Sequence, residues 1–527
     1  MRQRKRLVGL PGAVSLLLAV AAGLALRAWM AKKFPQNAGD PQIYADLAKN
    51  LLLHGQFATT GANGALHPTL IRLPGYPLFI ALCFLIFGMG NLTAIGWLQI
   101  ALELAGCLLL ADFVRRIASP GAAPAAAGTL WLAALCPFTA VYAGAPLTET
   151  PTLFLISLAL WSLERFREKP GWANALLFTG AVSYAALLRP DGALVAIALA
   201  PAMLMKGTGF SPYIKRAELK GTGFSPYIKR AELKGTGLSP YMMPQKDKGA
   251  LAPEGDPPER PLSSTHPAPK LTHMAAVCVL LALTPFALWT YRNWRVFHVI
   301  QPLAPRYAVD PGEDIDPGWQ RWVKSWSLDF VSTYDIYWNV PGDKLDINQL
   351  PSRAFDSPAQ YAETAALIKA YEANGEDLSP ELDARFGQLA AQRIADQPLR
   401  YYLWLPLGRL ADMWLRPRVE NLPIDLDWWV YRHHYAETRF SWFYAALNAF
   451  YLALGIAGLC LRPRYWQWML LYLLLRSALL TTIEAPEARY TLECFPMLFA
   501  LGGIALYRLI NWVFLSVLKV KASFEID

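Results

Sequence analysis

The stretch MRQRKRLVGLPGAVSLLLAVAAGLALRAWMAKKF, residues 1–34, decides how the rest of the chain is read. Arg2, Arg4, Lys5 and Arg6 precede an apolar run reaching Trp29, and Lys32 and Lys33 close it. A bilayer's hydrocarbon core demands a helix of about 20 apolar residues. A secretory signal peptide carries a shorter apolar core, with a small-x-small cleavage site after it. No clear site of that kind precedes Lys32, so an uncleaved first transmembrane helix is expected. Lys and Arg collect in cytoplasmic segments. The N-terminus is therefore expected inside, and residues 31–93 outside.

Outward from this helix the same pattern recurs. Of the 527 residues 54% are hydrophobic and only 17% charged, against about 25% charged in ordinary soluble domains. Mean hydropathy is +0.24. Apolar runs at 94–114, 124–143, 151–164, 172–188, 192–205, 272–291, 441–461, 465–483 and 490–511 follow the first. They predict an all-α polytopic membrane protein of about ten transmembrane helices, within a range of roughly 8–12. Arg115–Arg116, Arg165–Lys169, Arg462 and Arg464 mark cytoplasmic turns, and Lys519 and Lys521 put the C-terminus inside. The formal charge of +9 resides largely in such flanks, so it reads as a topology signal and not as a nucleic-acid surface. All six cysteines lie in or beside apolar segments and none forms CxxC. They read as small buried hydrophobes.

Five regions are expected. Residues 1–205 hold helices 1–6 with the first outer loop at 31–93, including a short apolar run, Tyr76–Gly88, read as an interfacial helix. Residues 206–271 are an insertion in which KGTGFSPYIKRAEL (206–219) repeats at 220–233 before a Pro-rich tract. It reads as a disordered cytoplasmic segment. Residues 272–295 form helix 7. Residues 296–440 form an outer module: 306–385 carries 15 Asp and Glu against 7 Lys and Arg, and 360–395 has two amphipathic helical patterns. Its aromatic stretch 399–415 suits an interfacial or re-entrant helix. Residues 441–527 hold the last three spans.

Charges at the ends of apolar helices are costly unless solvated or paired. On the outer side they recur loop after loop: Asp40, Arg72, Glu149, Arg189, Arg292, Glu484, Glu487 and Arg489. Any one Arg could be an anchor at the headgroup layer. Together they point to a shared polar pocket. No histidine spacing forms a zinc site.

Asp40-Pro41-Gln42-Ile43-Tyr44, Asn50-Leu51 and Arg72-x-Pro74-Gly75-Tyr76-Pro77 resemble the first outer loop of the GT-C glycosyltransferases. The resemblance is narrower to the protein O-mannosyltransferases, the lipid A aminoarabinose transferases and the Rgt-type lipopolysaccharide transferases. Leu147-Thr148-Glu149-Thr150, Leu188-Arg189-Pro190-Asp191, Tyr291-Arg292-Asn293-Trp294-Arg295 and Glu487-x-Arg489-Tyr490 follow in the family's order. The 206–270 insertion departs from it, and 300–400 matches nothing in it.

The resemblance implies transfer of a sugar from a polyprenyl-phosphate carrier to a lipid, glycan or protein acceptor at the outer face. It implies Asp40 as the catalytic acid of the first loop. A carboxylate taking the proton of an attacking hydroxyl suits that role. Single displacement would invert the anomeric centre through an oxocarbenium-like transition state. Arg72, Arg189, Arg292 and Arg489, with Tyr76, Glu487 and Tyr490, are then the candidates for substrate and lipid phosphate. Glu149 would orient the acceptor or hold a cation. Asp46 is a rival for the base. No cofactor is demanded, although a divalent cation is compatible with Asp40 and Glu149. Membrane lipids are the expected surroundings, in a bacterial inner membrane with the site on the periplasmic side. A transporter or lipid flippase is the alternative, and would place its ionisable groups near the bilayer midplane.

Overall fold

The structure is a computed structural model of the chain. Residues 10–36, 39–118, 121–204, 271–313, 315–426 and 434–524 are described. The 206–233 repeat and the Pro-rich tract lie outside the described residues.

All ten expected apolar runs are helical. α1 spans Leu10–Lys33 and α2 Asp40–His54. A short antiparallel hairpin follows, β1 (Ala58–Thr60) pairing β2 (Leu66–Pro68) with Thr59 opposite His67. Then come α3 (Gly75–Phe87), α4 (Leu92–Ile117), α5 (Ala122–Ala134), α6 (Pro137–Ala143), α7 (Glu149–Glu168), α8 (Trp172–Leu188), α9 (Ala193–Leu204) and α10 (Leu271–Phe297). In the described residues five stretches are long and apolar enough to cross a membrane: Ala13–Lys33, Leu92–Ile117, Thr272–Phe297, Tyr435–Cys460 and Ala488–Ser516. The α5–α6 pair is a sixth if it counts as one span, and Trp172–Leu188, Pro190–Met203 and Trp466–Leu480 are apolar but shorter. The chain is a polytopic helical membrane protein.

Two local departures from the expected pattern have physical causes. The hairpin interrupts an otherwise helical chain because β-branched Thr59 and Thr60 precede a Gly61–Gly64 turn. Asp46 ties it to α2, its carboxylate accepting from Thr60 N (2.6 Å) and Thr60 Oγ1 (2.8 Å). The third span, expected to be continuous, bends by 56° between α5 and α6. Pro137 has no N–H with which to bond the Ala133 carbonyl. Arg27 of α1 supplies donors there: Nη2 reaches Ala133 O at 3.2 Å and Nη1 reaches Ala134 O at 2.6 Å. The same guanidinium pairs bidentately with Glu103 of α4, both contacts at 2.8 Å, and bonds Gly23 O at 3.1 Å. Its five N–H groups are thus all used.

Residues 317–396 form a helical module with its own core. α11 (Pro317–Lys324) leads into α12 (Phe330–Ser332) and a π-helical turn, Thr333–Tyr337. α13 (Pro358–Ala373) and α14 (Pro380–Asp396) follow. Each of the last two starts Ser-Pro, the Ser357 and Ser379 hydroxyls accepting from Gln360 N and Leu382 N, the usual N-cap chemistry. Trp319, Trp322 and Trp326 stack beneath Phe386 and Leu389 as the buried centre. A π turn, Arg400–Trp404, and α15 (Leu405–Leu415) make up the 399–415 stretch; Leu399, Tyr402 and Trp404 are exposed. α16 (Tyr435–Cys460), α17 (Trp466–Leu480) and α18 (Phe495–Phe524) complete the bundle. α18 packs backbone to backbone: a Cβ at Gly458 would meet the Leu501 oxygen at 2.3 Å, and one at Gly503 would meet Thr129 Oγ1 at 2.0 Å. Small residues permit such approaches between membrane helices.

The first loop, the module and the α17–α18 turn share one end of the bundle. Leu70 N donates to Asp310 Oδ1 (2.7 Å), and Lys324 Nζ to Glu484 (2.8 Å) and Thr482 O (2.7 Å). Elsewhere Asp112, Arg116 and Glu168 join the ends of α4 and α7, and Glu164 pairs with Arg464 at 2.7 Å.

Candidate active site

The first functional side chain is positioned by a helix start. Gly39, at φ 74°, turns the chain into α2, and Pro41 fills a position whose N–H would have no helical partner. Asp40 therefore stands at the positive end of a helix dipole. Arg72, on the segment after β2, donates from Nη2 to Asp40 Oδ1 at 2.8 Å. Its guanidinium lies 6.0 Å from the centre of the Tyr44 ring.

A second cation reaches Asp40 from the far end of the chain. A short 3-10 turn, Ala488–Cys494, precedes α18. From it Arg489 Nη2 lies 3.5 Å from Asp40 Oδ2. Arg489 Nε lies 2.5 Å from Glu487 and 3.8 Å from Glu149. The Tyr490 hydroxyl donates to Glu487. Arg189, where α8 ends, sits 5.3 Å over the Tyr490 ring and donates to Glu149 Oε1 at 3.2 Å. Behind it, Arg189 also contacts Asp191 (3.4 Å) and Glu493 (3.0 Å). Arg476 of α17 closes the back, contacting Asp191 and reaching Glu493 at 2.9 Å.

Exposure grades through this cluster. Asp40 and Arg72 side chains are 28% and 25% exposed, whereas Glu493 and Arg476 are 1% and 0% exposed. The mouth is wet and the floor is dry. Several floor atoms have no hydrogen bond, among them oxygens of Asp191 and Glu493 that still face an arginine nitrogen; Glu149 Oε2 is buried with neither a hydrogen bond nor an ion-pair contact, its arginine contacts all falling on Oε1. Buried polar atoms without partners are rare in folded proteins, and a ligand is one explanation.

The cations set the charge state at the mouth. Burial is the largest influence on Asp40 and pushes its carboxyl up, but Arg72, Arg489 and Arg189 together outweigh it. Asp40 lies below the ordinary Asp value of 3.8. Glu487 goes the other way: burial dominates over Arg489 and the Tyr490 hydroxyl, and holds it above the ordinary Glu value of 4.5. Arg189 stays cationic, since Asp191, Glu493 and Glu149 outweigh its burial.

Seven of the residues singled out from sequence thus converge: Asp40, Arg72, Glu149, Arg189, Glu487, Arg489 and Tyr490. Three stand apart from the charge cluster; one is Glu484, which pairs with Lys324 at 2.8 Å and with Arg306 and so ties the α17–α18 turn to the module. Tyr76 is fully buried, with its hydroxyl donating to Gln99 Oε1 at 2.5 Å and its ring edge-on to Tyr44 at 4.9 Å. It supports the floor under Arg72 through Tyr44. Arg292 is not brought to the cluster. Its donors go to Thr69 O (2.8 Å) and Phe57 O (2.7 Å), and it lies against Phe57, Trp289 and Phe297. It fastens the first loop to α10. Asp46 is engaged with Thr60 as described. Arg476, Asp191 and Glu493 complete the floor without having been proposed from sequence. The available signal was a lone Arg in the apolar run Trp466–Leu480 and an acid in the Tyr490–Phe495 stretch.

Among the described residues no group of three or more His, Cys, Asp or Glu is arranged to hold a metal ion. Asp40 and Glu149 each face Arg489 instead.

Residues 67–216 match the family model of the dolichyl-phosphate-mannose-protein mannosyltransferases. No curated protein matches the chain. Two solved structures of ArnT from Cupriavidus metallidurans are similar at low identity. For the apo state the identity is 14%, with 93% of this chain and 76% of that chain covered and a TM-score of 0.33. For the structure bound to undecaprenyl phosphate it is 15%, with 93% and 77% covered and a TM-score of 0.34. The family match spans Arg72, Tyr76, Glu149 and Arg189. It covers less than a third of the chain and agrees there with the resemblance read from the motifs around those residues.

Proposed function

We propose that the chain transfers a sugar from a polyprenyl-phosphate carrier to an acceptor hydroxyl, with inversion, at the outer face of a bacterial inner membrane. The observation that carries this reading is a carboxylate, Asp40, kept ionised by Arg72 and Arg489 at the open end of a buried Arg–acid cluster. Such a site offers one group that accepts a proton and several that receive a phosphate.

The reaction then runs as a single displacement. The acceptor oxygen forms its bond to the anomeric carbon while the bond from that carbon to the phosphate oxygen breaks. The electron pair leaves with the lipid phosphate, and the acceptor's proton passes to Asp40. A carboxylate below the ordinary Asp range is a weak base, so it takes the proton late, as the oxygen becomes acidic in an oxocarbenium-like transition state. Arg72, Arg489 and Arg189 stabilise the departing phosphate, where planar guanidinium groups match its oxygens. The unpartnered Glu149 oxygen accepts a hydrogen bond from a sugar or acceptor hydroxyl.

Arg27 and Glu103, an ion pair within the bundle, are what a transporter reading would rest on. Every Arg27 donor is already taken by Glu103 and three backbone carbonyls, so none is left for a cargo. The test is sugar transfer from a polyprenyl-phosphate donor by purified protein, read as an acceptor mass increase. Transfer retained by Asp40→Asn would overturn the base assignment. Absence of transfer by the unaltered protein with any polyprenyl-phosphate sugar would overturn the activity.

A further inference from the structure

Residues 416–426 follow α15 and pack against the charge cluster from the α6 side. Arg418 is buried and fixes them to the turn that carries Arg489: Nη1 donates to Ala488 O at 2.7 Å and Nη2 to Thr491 Oγ1. Its Nε donates to Asn448 Oδ1 of α16 at 3.2 Å. Arg416 donates to Leu426 O across the base of the loop. Leu422 N donates to Val419 O at 2.8 Å, which makes Glu420 and Asn421 the two central residues of a tight turn. Val419 is buried in the main core, and Leu422 and Ile424 pack on it. Both feet of the turn are held, and its tip is polar.

The tip meets α6. The buried Tyr142 donates its hydroxyl to Glu420 Oε1 at 3.4 Å. The Tyr142 carbonyl accepts from Thr150 Oγ1 at 3.2 Å, next to Glu149 in the chain. After Glu420, the charged groups acting on the Tyr142 hydroxyl are Arg489, Glu149 and Glu487. Tyr142 therefore stands between the tip and the charge cluster. Three side-chain atoms around it are buried without a hydrogen bond: Glu420 Oε2, Asn421 Nδ2 and Glu149 Oε2. Arg418, the cation that acts most on Glu420, spends its nitrogens on Asn448, Ala488, Met413 and Thr491 instead.

We propose that Glu420, Asn421 and Glu149, gathered around Tyr142, bind the hydroxyls of the transferred glycosyl unit and so select the sugar. The free atoms are two acceptors and one donor. A metal ion would suit the oxygens alone and be opposed by the Asn421 amide hydrogens. A phosphate would suit the amide alone and be repelled by both carboxylates. Neighbouring sugar hydroxyls each donate and accept, and so satisfy all three atoms together. The place also suits a sugar carried on a phosphate. Glu149 touches Arg189 at 3.2 Å and Arg489 at 3.8 Å, two of the cations assigned to the departing phosphate. A site of buried polar atoms rejects a substrate that lacks the matching hydroxyl, because those atoms are then left unpaired. The inference rests on the proposed transfer only in taking the sugar to be the donor's.

The test titrates the full chain in detergent with undecaprenyl phosphate and with the same lipid phosphate carrying mannose, glucose, galactose or xylose. The unaltered protein is expected to prefer one of the four sugars over the weakest by about tenfold or more. Glu420→Gln keeps the shape and loses the charge, and Asn421→Ala removes the amide. Each is expected to weaken binding of the preferred glycosyl lipid about tenfold, the worth of one lost hydrogen bond. Each leaves the affinity for the bare lipid phosphate and the unfolding midpoint unchanged. Glu420→Gln alone decides if Asn421→Ala does not fold. Equal affinity for all four sugars, sugar binding undiminished in the variants, or an equal loss for the bare lipid phosphate overturns the proposal. Sugar transfer assayed on the same preparations separates the two readings. Selective binding that the variants lose, without transfer by the unaltered protein, sinks the transferase and leaves the sugar site. Transfer whose kcat and KM ignore both substitutions does the reverse.

Discussion

Two of the ion networks in this bundle, the Arg27–Glu103 pair and the Asp40 cluster, differ in what they leave undone. Arg27 and Glu103 form a bidentate pair between α1 and α4, with every Arg27 donor satisfied and both residues nearly inaccessible. The Asp40 cluster also consists of arginines and acids. Yet it opens to solvent at one end and keeps a buried Glu149 oxygen without a partner. A saturated pair can only hold structure. An unsaturated, graded cluster can exchange its internal contacts for contacts to a ligand, because the exposed half is not committed to the fold. Buried charge by itself is therefore a poor sign of function; incompleteness at an accessible edge is the better one.

The sharpest way to break this contrast is Asp40→Asn. Loss of the base is expected to lower kcat by about 10²–10⁴-fold, with the unfolding midpoint unchanged, in an assay of sugar transfer. Arg27→Ala should do the opposite. Breaking a buried pair and leaving Glu103 alone costs about 3–5 kcal/mol of stability, read by thermal unfolding in detergent, while the transfer rate per folded molecule is kept. If Arg27→Ala abolishes transfer in folded protein, the saturated pair is not merely structural. Arg489→Lys keeps the charge but loses the planar fork shared among Asp40, Glu149 and Glu487. A fall in kcat/KM of about tenfold is expected, larger than for Arg292→Lys, whose donors serve backbone carbonyls.

The smallest effect is in pH. Glu487 sits above 4.5 and Asp40 below 3.8. As pH falls, Glu487 gains its proton first, which releases Arg489 from its ion pair; Asp40 is protonated last. The acid limb of kcat/KM should therefore begin above the ordinary Glu value. Glu487→Gln should remove that first step and leave only the loss belonging to Asp40, below the ordinary Asp range. A single unshifted limb in both proteins would contradict this order.

Much of this was legible in the chain before any packing was known. Asp40, Arg72, Glu149, Arg189, Glu487 and Arg489 were recognisable as charges at the ends of apolar runs, and Tyr490 through the family resemblance. Arg292 looked the same by that criterion, yet its guanidinium fastens the first loop through Thr69 and Phe57. Position at a helix end cannot say whether a cation faces a pocket or a neighbouring carbonyl. The bend between α5 and α6 was half legible. Pro137 announces the missing donor, but the partner that makes the bend tolerable, Arg27, is 107 residues from Ala134. Arg476 and Glu493 were hidden for a related reason, each a lone charge whose counter-charge lies on another helix.

The chain alone specifies the apolar helices, because run length and proline positions act within a few residues. It also determined the repertoire of charged groups available at helix ends. Which of those groups meet depends on how distant helices pack. Asp40 and Arg489 are 449 residues apart and lie 3.5 Å from each other. Backbone-to-backbone packing of α18 at Gly458 and Gly503 helps seat the helix that follows the Arg489 turn. A guanidinium and a carboxylate pair through hydrogen bonds only at contact distance, so which of them pair is set by how helices pack and not by where residues stand in the chain.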